Sequence, residues 1–127
     1  MFQVDMMSRT PVYEQIIEQA ERYVLNHLLS SGDKLPSVRQ LSMELSINPN
    51  TIQKAYTELD RKGILQSVPG KGCFISGNAF QIITQNSREK MKELTAILKE
   101  LALAGITQEQ IIDCVKEIFN SGKEGNK

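Results

Sequence analysis

Asn50, Thr51, Gln53, Lys54 and Thr57 fall within eight consecutive positions, interleaved with the apolar residues Ile52, Ala55, Tyr56 and Leu59. Asn and Gln side chains can make paired hydrogen bonds to an adenine edge. Lys can reach a guanine acceptor or a phosphate, and Thr suits either role. A solvated polar face is the ordinary reading of any amphipathic helix, and these five residues alone do not exceed it. The elements on either side decide.

Other chemistries find little support. The single histidine, His27, has no motif around it, and Cys73 and Cys114 lie far apart without a CxxC pattern. Zinc ligation, a disulfide framework and nucleophilic catalysis are therefore disfavoured. The Pro69-Gly70-Lys71-Gly72 segment lacks the G-x-x-x-x-G-K-[ST] spacing of a phosphate-cradling loop. No cofactor and no catalysis are expected.

The segment before the polar cluster predicts two helix starts. Ser37-Val38-Arg39-Gln40 is an S-x-x-Q capping box opening a brief helix whose inward face is Leu41 and Leu45. Asn48 then suits an N-cap and Pro49 a first-turn position. Only two or three residues separate the helices, which favours a steep crossing over an antiparallel hairpin. In the second helix Ile52, Ala55, Tyr56 and Leu59 follow i, i+3, i+4, i+7, and Gly63 supplies a left-handed stop. The helix start also offers N–H groups and partial positive charge to a phosphate. After it, Ile64–Val68 and Cys73–Ser76 read as two β arms around the Pro-Gly turn, with Lys71 at the tip. A lysine between glycines suits a phosphate or minor-groove contact.

Upstream, Tyr13, Ile16, Ile17, Ala20, Val24 and Leu28 recur at helical spacing, so a helix is expected from about Pro11 to Leu29, capped by Thr10. Ser30-Ser31-Gly32-Asp33 ends it, and Lys34-Leu35-Pro36 is an extended link.

Composition is that of an ordinary globular chain of 127 residues, with 40% hydrophobic and 24% charged residues. No apolar run approaches the roughly 20 residues needed to span a bilayer, and Met1–Pro11 lacks a signal-peptide layout. A reducing cytoplasm is the expected location. Net charge is zero, yet residues 34 to 71 carry Lys34, Arg39, Lys54, Arg61, Lys62 and Lys71 against Glu44, Glu58 and Asp60. The balancing acids sit on the first helix, at Glu14, Glu18 and Glu21, so a local positive face coexists with a neutral chain.

The stretch from Pro11 to Ile75, with PVYEQIIEQ, GDKLPSVRQLSMELSINPNTIQKAYTELDRKGIL and PGKGCFI in order, resembles the GntR family of winged-helix transcription regulators. The resemblance implies DNA contacts at Arg39, one turn into the second helix, and at Pro49, Asn50, Thr51, Gln53 and Lys54 at the start of the third. It also implies wing contacts at Gly70, Lys71 and Gly72, and the capping residues Ser37 and Asn48 border the same face. Fatty-acid-type members carry arginines at the positions of Pro49 and Gln53, so a different operator preference is expected here. The NPNT-QKAY wording is similar to the YtrA-like and MocR-like branches. MocR-like members add a large aminotransferase-like domain and other branches a large ligand-binding domain, so a 127-residue chain fits the YtrA-like branch.

Residues 78–127 predict two further helices. Met91, Leu94, Leu98 and Leu101 are spaced 3, 4 and 3 within Ser87–Ala104, a coiled-coil-like seam widened by Ile97. Gly105 stops that helix, Thr107-Gln108-Glu109-Gln110 is another capping box, and Ile111, Ile112, Val115, Ile118 and Phe119 make a last apolar face. These helices can fold back on the winged domain or form a dimer interface; the length of the seam favours the dimer. The expected fold is thus mainly α with a small β-hairpin wing. It comprises an N-terminal winged helix-turn-helix over 1–77 and a short C-terminal two-helix dimerisation segment with a frayed tail over 78–127. The expected function is a dimeric, sequence-specific repressor of double-stranded DNA at a palindromic operator, which the YtrA-like resemblance links with transporter operons. A protein-interaction adaptor is the alternative. A large metabolite pocket is not expected.

Overall fold

The computed structural model describes residues 1–125, with side-chain surroundings through Ser121. The chain forms α1 (Val12–Leu25), β1 (Lys34–Leu35), α2 (Val38–Leu45), α3 (Pro49–Arg61), β2 (Leu65–Val68), β3 (Gly72–Ile75), α4 (Ala79–Leu103) and α5 (Gln108–Gly125). They divide into two compact units, Met1–Ser87 and a second that starts at Arg88. No described helix is long and apolar enough to cross a membrane.

The first unit is a mainly helical winged head. Its core collects Ile16, Ala20 and Val24 of α1, Leu41 of α2, Ile52, Ala55, Tyr56 and Leu59 of α3, and Leu65 and Ile75 of the sheet. The capping box of α2 is present: Ser37 Oγ accepts from Gln40 N–H at 3.0 Å and Gln40 Oε1 accepts from Ser37 N–H at 2.9 Å. Ser46, in the left-handed conformation, ends α2 and turns the chain so that Ile47 is buried before α3 begins.

The wing contains more than a hairpin. The extended link before Pro36 pairs as β1 with β3, Lys34 opposite Phe74 and Leu35 opposite Cys73. The result is a three-stranded antiparallel sheet of order β1-β3-β2. Gly32 N–H to Ile75 O and Ile75 N–H to Asp33 O, both 2.8 Å, carry the ladder past β1. A two-residue strand is too short to show alternation, so only its pairing reveals it.

Three details of the helices depart from expectation. Thr10 does not cap α1; Pro11 holds the N-cap place without a side-chain bond. Gln15 folds back instead, donating to the carbonyls of Thr10 and Asp5 at 2.8 and 2.9 Å. The helix stops at Leu25, because His27 takes φ 60° and Leu28 and Leu29 N–H both return to Tyr23 O. That reversal puts Leu29 in the core at 5% exposure and leaves Leu28 at 63%. Finally, α4 starts eight residues before Ser87, since Ala79 and Ile83, one turn apart, complete the core of the head. The head therefore extends beyond residue 77, with compact packing reaching Ser87.

The N-terminal arm is also ordered. Phe2 is buried edge-on against Tyr23 with ring centroids 5.7 Å apart, and Gln3 N–H donates to Gln19 Oε1 at 2.9 Å.

In the second unit, Gly105 at φ 90° follows α4, and Thr107 and Gln110 form the expected box, with bonds of 2.9 and 3.2 Å. Helix α5 continues through Gly125, into the segment expected to fray; Asn126 and Lys127 lie outside the described residues.

The α1 reversal gives a test. Leu29→Ala should cost about 2–5 kcal/mol of unfolding free energy, as for other buried leucines, and Leu28→Ala less than about 0.5 kcal/mol. Urea unfolding of the two variants checks it; the opposite ranking would mean that α1 runs on to Leu29.

Candidate nucleic-acid interface

Helix α3 is held by one edge. Ile52, Ala55, Tyr56 and Leu59 are each 2% exposed or less. The Tyr56 hydroxyl donates to the Pro36 carbonyl at 2.6 Å, fastening α3 to the link that enters α2. Burial holds that phenol above the ordinary tyrosine range, so it stays a neutral donor.

The opposite face of α3 is open. Pro49, Asn50, Gln53, Lys54 and Thr57 are exposed and Thr51 is half-buried. Gln53 Nε2 donates to Thr57 Oγ1 at 3.2 Å, one turn along the helix. The Lys54 ammonium sits 3.9 Å from the centroid of the Tyr13 ring on α1. Between α3 and the sheet lies an open cleft of about 430 Å3, bordered by Gln53, Thr57 and Arg61 on one side and Ser67 and Cys73 on the other.

Two of the expected contact residues already serve the helices. Ser37 Oγ accepts from α2, and Asn48 Oδ1 accepts from Asn50 N–H at 2.8 Å. What each retains for a partner is its hydroxyl hydrogen and its NH2 group, respectively. The N–H groups expected to be free at the start of α3 are also engaged. Asn50 bonds the Asn48 side chain, Thr51 bonds Asn48 O at 3.0 Å, and Pro49 has no N–H. The helix end can still attract an anion through its dipole.

Arg39 projects from α2 into solvent. At the wing, Lys71 N–H bonds Val68 O at 3.0 Å, closing a turn with Pro69 and Gly70 as its central residues. Gly70 has φ 77° and Gly72 φ 122°, values that side chains disfavour. A Cβ on Gly72 would lie 2.9 Å from Lys34 Cε, so the bare backbone also makes room for that lysine stem. Lys34 was absent from the expected contact set; its position beside Gly72 follows from β1 pairing.

Ion pairing separates the cations of the head. Arg61 pairs with Glu58 at 2.7 Å and Lys62 with Glu21 at 2.9 Å. Among the described residues, Lys34, Arg39, Lys54 and Lys71 have no carboxylate within ion-pair distance. No cluster of His, Cys, Asp or Glu among them could hold a metal ion, and both cysteines are free thiols. His27 stacks on Phe80, with centroids 5.3 Å apart.

Helix, turn, helix and three-stranded wing with an open polar helix face agree with comparisons to known proteins. Residues 12–75 match the family described as bacterial regulatory proteins, gntR family. The chain belongs to the gntR family. It is 41% identical over 128 residues to the HTH-type transcriptional repressor YtrA of Bacillus subtilis (strain 168), covering all of this chain and 98% of that one. A crystal structure of a transcriptional regulator from Oenococcus oeni superposes with TM-score 0.66 at 34% identity, over 94% of this chain and 99% of the other. The DNA-binding domain of AraR in complex with operator ORX1 has TM-score 0.52 and 28% identity, over 60% of this chain and 93% of the other. This gntR-family chain is accordingly a transcription regulator of winged-helix form and not an enzyme.

The residues of the expected dimer seam lie in the second unit. Met91, Leu94, Leu101, Val115, Ile118 and Phe119 are between 37% and 68% exposed, and Leu98 and Ile111 are half-buried.

The cap assignment is testable apart from any ligand. Asn48→Ala should lower stability by about 1 kcal/mol, whereas Asn50→Ala, on the open face, should change it by less than about 0.5 kcal/mol. Equal effects in thermal or urea unfolding would mean that Asn48 does not cap α3.

Proposed function

We propose that the chain is a dimeric, sequence-specific DNA-binding repressor that acts at a palindromic operator. A cytoplasmic location and a transporter operon as the regulated unit go with that reading. The carrying observation is the open face of α3, where Asn50, Gln53 and Thr57 stand free of the core, in a head whose wing cation Lys71 has no ion-pair partner among the described residues. AraR's DNA-binding domain, crystallised with an operator, supports double-stranded DNA as the partner.

In this mechanism α3 enters the major groove with Asn50, Gln53 and Thr57 toward base edges. Arg39, Lys71 and the polar hydrogens of Ser37 and Asn48 serve the backbone, and Gly70 and Gly72 let the wing approach the minor groove. Repression is by occupancy, with bound protein obstructing polymerase.

A single head spans few base pairs, so two-fold pairing is required for a long site. The apolar rows of α4 and α5 support it, exposed at Met91, Leu94, Leu101, Val115, Ile118 and Phe119 and half-buried at Leu98 and Ile111. Contiguous apolar surface of this kind marks an interface more often than a solvated face. A two-fold axis would bring the same rows of two copies together.

Fluorescence anisotropy with duplex from the promoter region of its own gene and a shuffled control, at two salt concentrations, tests the reading. Selective, salt-sensitive binding is expected. Gln53→Ala should cost about 1–3 kcal/mol on the preferred duplex and little on the control. Lys71→Ala should weaken both and lower the salt slope by about 0.9 per head. Failure of a folded dimer to bind either duplex at low salt would overturn the proposal.

A further inference from the structure

Lys54 and Tyr13 are 41 residues apart and meet across α1 and α3, with the ammonium 3.9 Å from the ring centroid. The arrangement follows from what surrounds the lysine. The carboxylate one turn along α3, Glu58, is taken by Arg61 at 2.7 Å. The carboxylate beside the ring, Glu14, accepts the Tyr13 hydroxyl at 3.2 Å. That hydrogen bond, followed by the charge of Glu14, keeps the Tyr13 phenol above its ordinary range and therefore neutral. Among the described residues no carboxylate lies within ion-pair distance of the ammonium, which rests on the π face.

At about 100° per residue, Lys54 lies about 150° from the middle of the stripe formed by Ile52, Ala55, Tyr56 and Leu59, so the helical repeat alone leaves it near the crest, and its contact with Tyr13 gives the direction. Gln53 borders the cleft toward the sheet, whereas Lys54 is drawn to the α1 flank. A helix lying in a groove presents its crest to base edges and its flanks to the phosphate walls.

We infer that Tyr13 is a positioning residue that holds Lys54 on the α1 flank of α3 as a phosphate contact, not as a base reader. The inference rests on the DNA-binding reading above and assigns a division of labour within it. Asn50, Gln53 and Thr57 carry sequence selectivity, and Lys54 carries affinity common to all sequences. The Tyr13 ring keeps the lysine extended along the flank before DNA arrives, so less side-chain freedom is lost on binding.

A double-mutant cycle in anisotropy titrations, on a preferred duplex and a random one, tests this with the full-length chain. Lys54→Met should weaken binding to both duplexes by the same factor and lower the salt slope by about 0.9 per head. Tyr13→Leu should weaken both about 2–5-fold, the size of an exposed cation–π contact. Tyr13→Phe, which keeps the ring, should restore wild-type affinity. In the Lys54→Met background, Tyr13→Leu should have no further effect. Equal losses from Tyr13→Leu in both backgrounds would overturn the positioning role. Loss of discrimination with an unchanged salt slope in Lys54→Met would overturn the phosphate assignment. Absence of salt-sensitive DNA binding by the wild-type chain would instead remove the reading on which the inference stands.

Discussion

Burial of one edge of α3 is the constraint from which the rest of the head follows. Ile52, Ala55, Tyr56 and Leu59 fill the space between α1, α2 and the sheet, which fixes the helix in position and rotation. The Tyr56 hydroxyl adds the polar tie, meeting a carbonyl of the link before α2. Because all four buried positions lie on one side, the remaining side must be open. Ile52 and Leu59 each contribute about 1.5–3 kcal/mol through apolar burial, so the orientation of the polar face is held by core packing. A surface exposed in this way is presented before any ligand arrives, which is what recognition by a rigid scaffold requires.

Charge is arranged by the same packing. The chain has equal numbers of acidic and basic residues, yet its neutrality does not extend to the working face. Glu21 and Glu58 neutralise Lys62 and Arg61, leaving Lys34, Arg39, Lys54 and Lys71 without carboxylate partners among the described residues. Exposed pairs such as these add little stability. Their effect here is to remove two cations from the set available to a polyanion and to engage Glu58, one turn along α3 from Lys54. Net charge alone therefore understates the attraction a phosphate backbone would meet.

The parts legible in the sequence are those set by local rules. The capping boxes at Ser37 and Thr107, the cap at Asn48 and the i, i+3, i+4, i+7 stripe of α3 depend on neighbours within a turn or two, and each is present. Strand β1 escaped because two residues carry no periodicity and their structure comes from a partner about forty positions away. The exchange of Leu28 for Leu29 in the core depends on His27 adopting a left-handed conformation, which is uncommon outside glycine and has no periodic signal in the sequence. The start of α4 was readable, since Ala79, Ile82 and Ile83 are spaced i, i+3, i+4. At the interface, the polar face of α3 follows from spacing alone. The engagement of its first N–H groups, the Lys54 contact with Tyr13 and the position of Lys34 beside Gly72 do not. Those depend on which elements lie next to one another.

In the proposed function, two winged heads read one two-fold symmetric site through their third helices. Selection of bound duplexes from a random pool by the full-length chain tests it most directly. The expected result is enrichment of an inverted repeat whose half-site centres lie about 10–10.5 base pairs apart, or a multiple of that spacing. Enrichment of a single unrepeated half-site, or of no sequence at all, would contradict it.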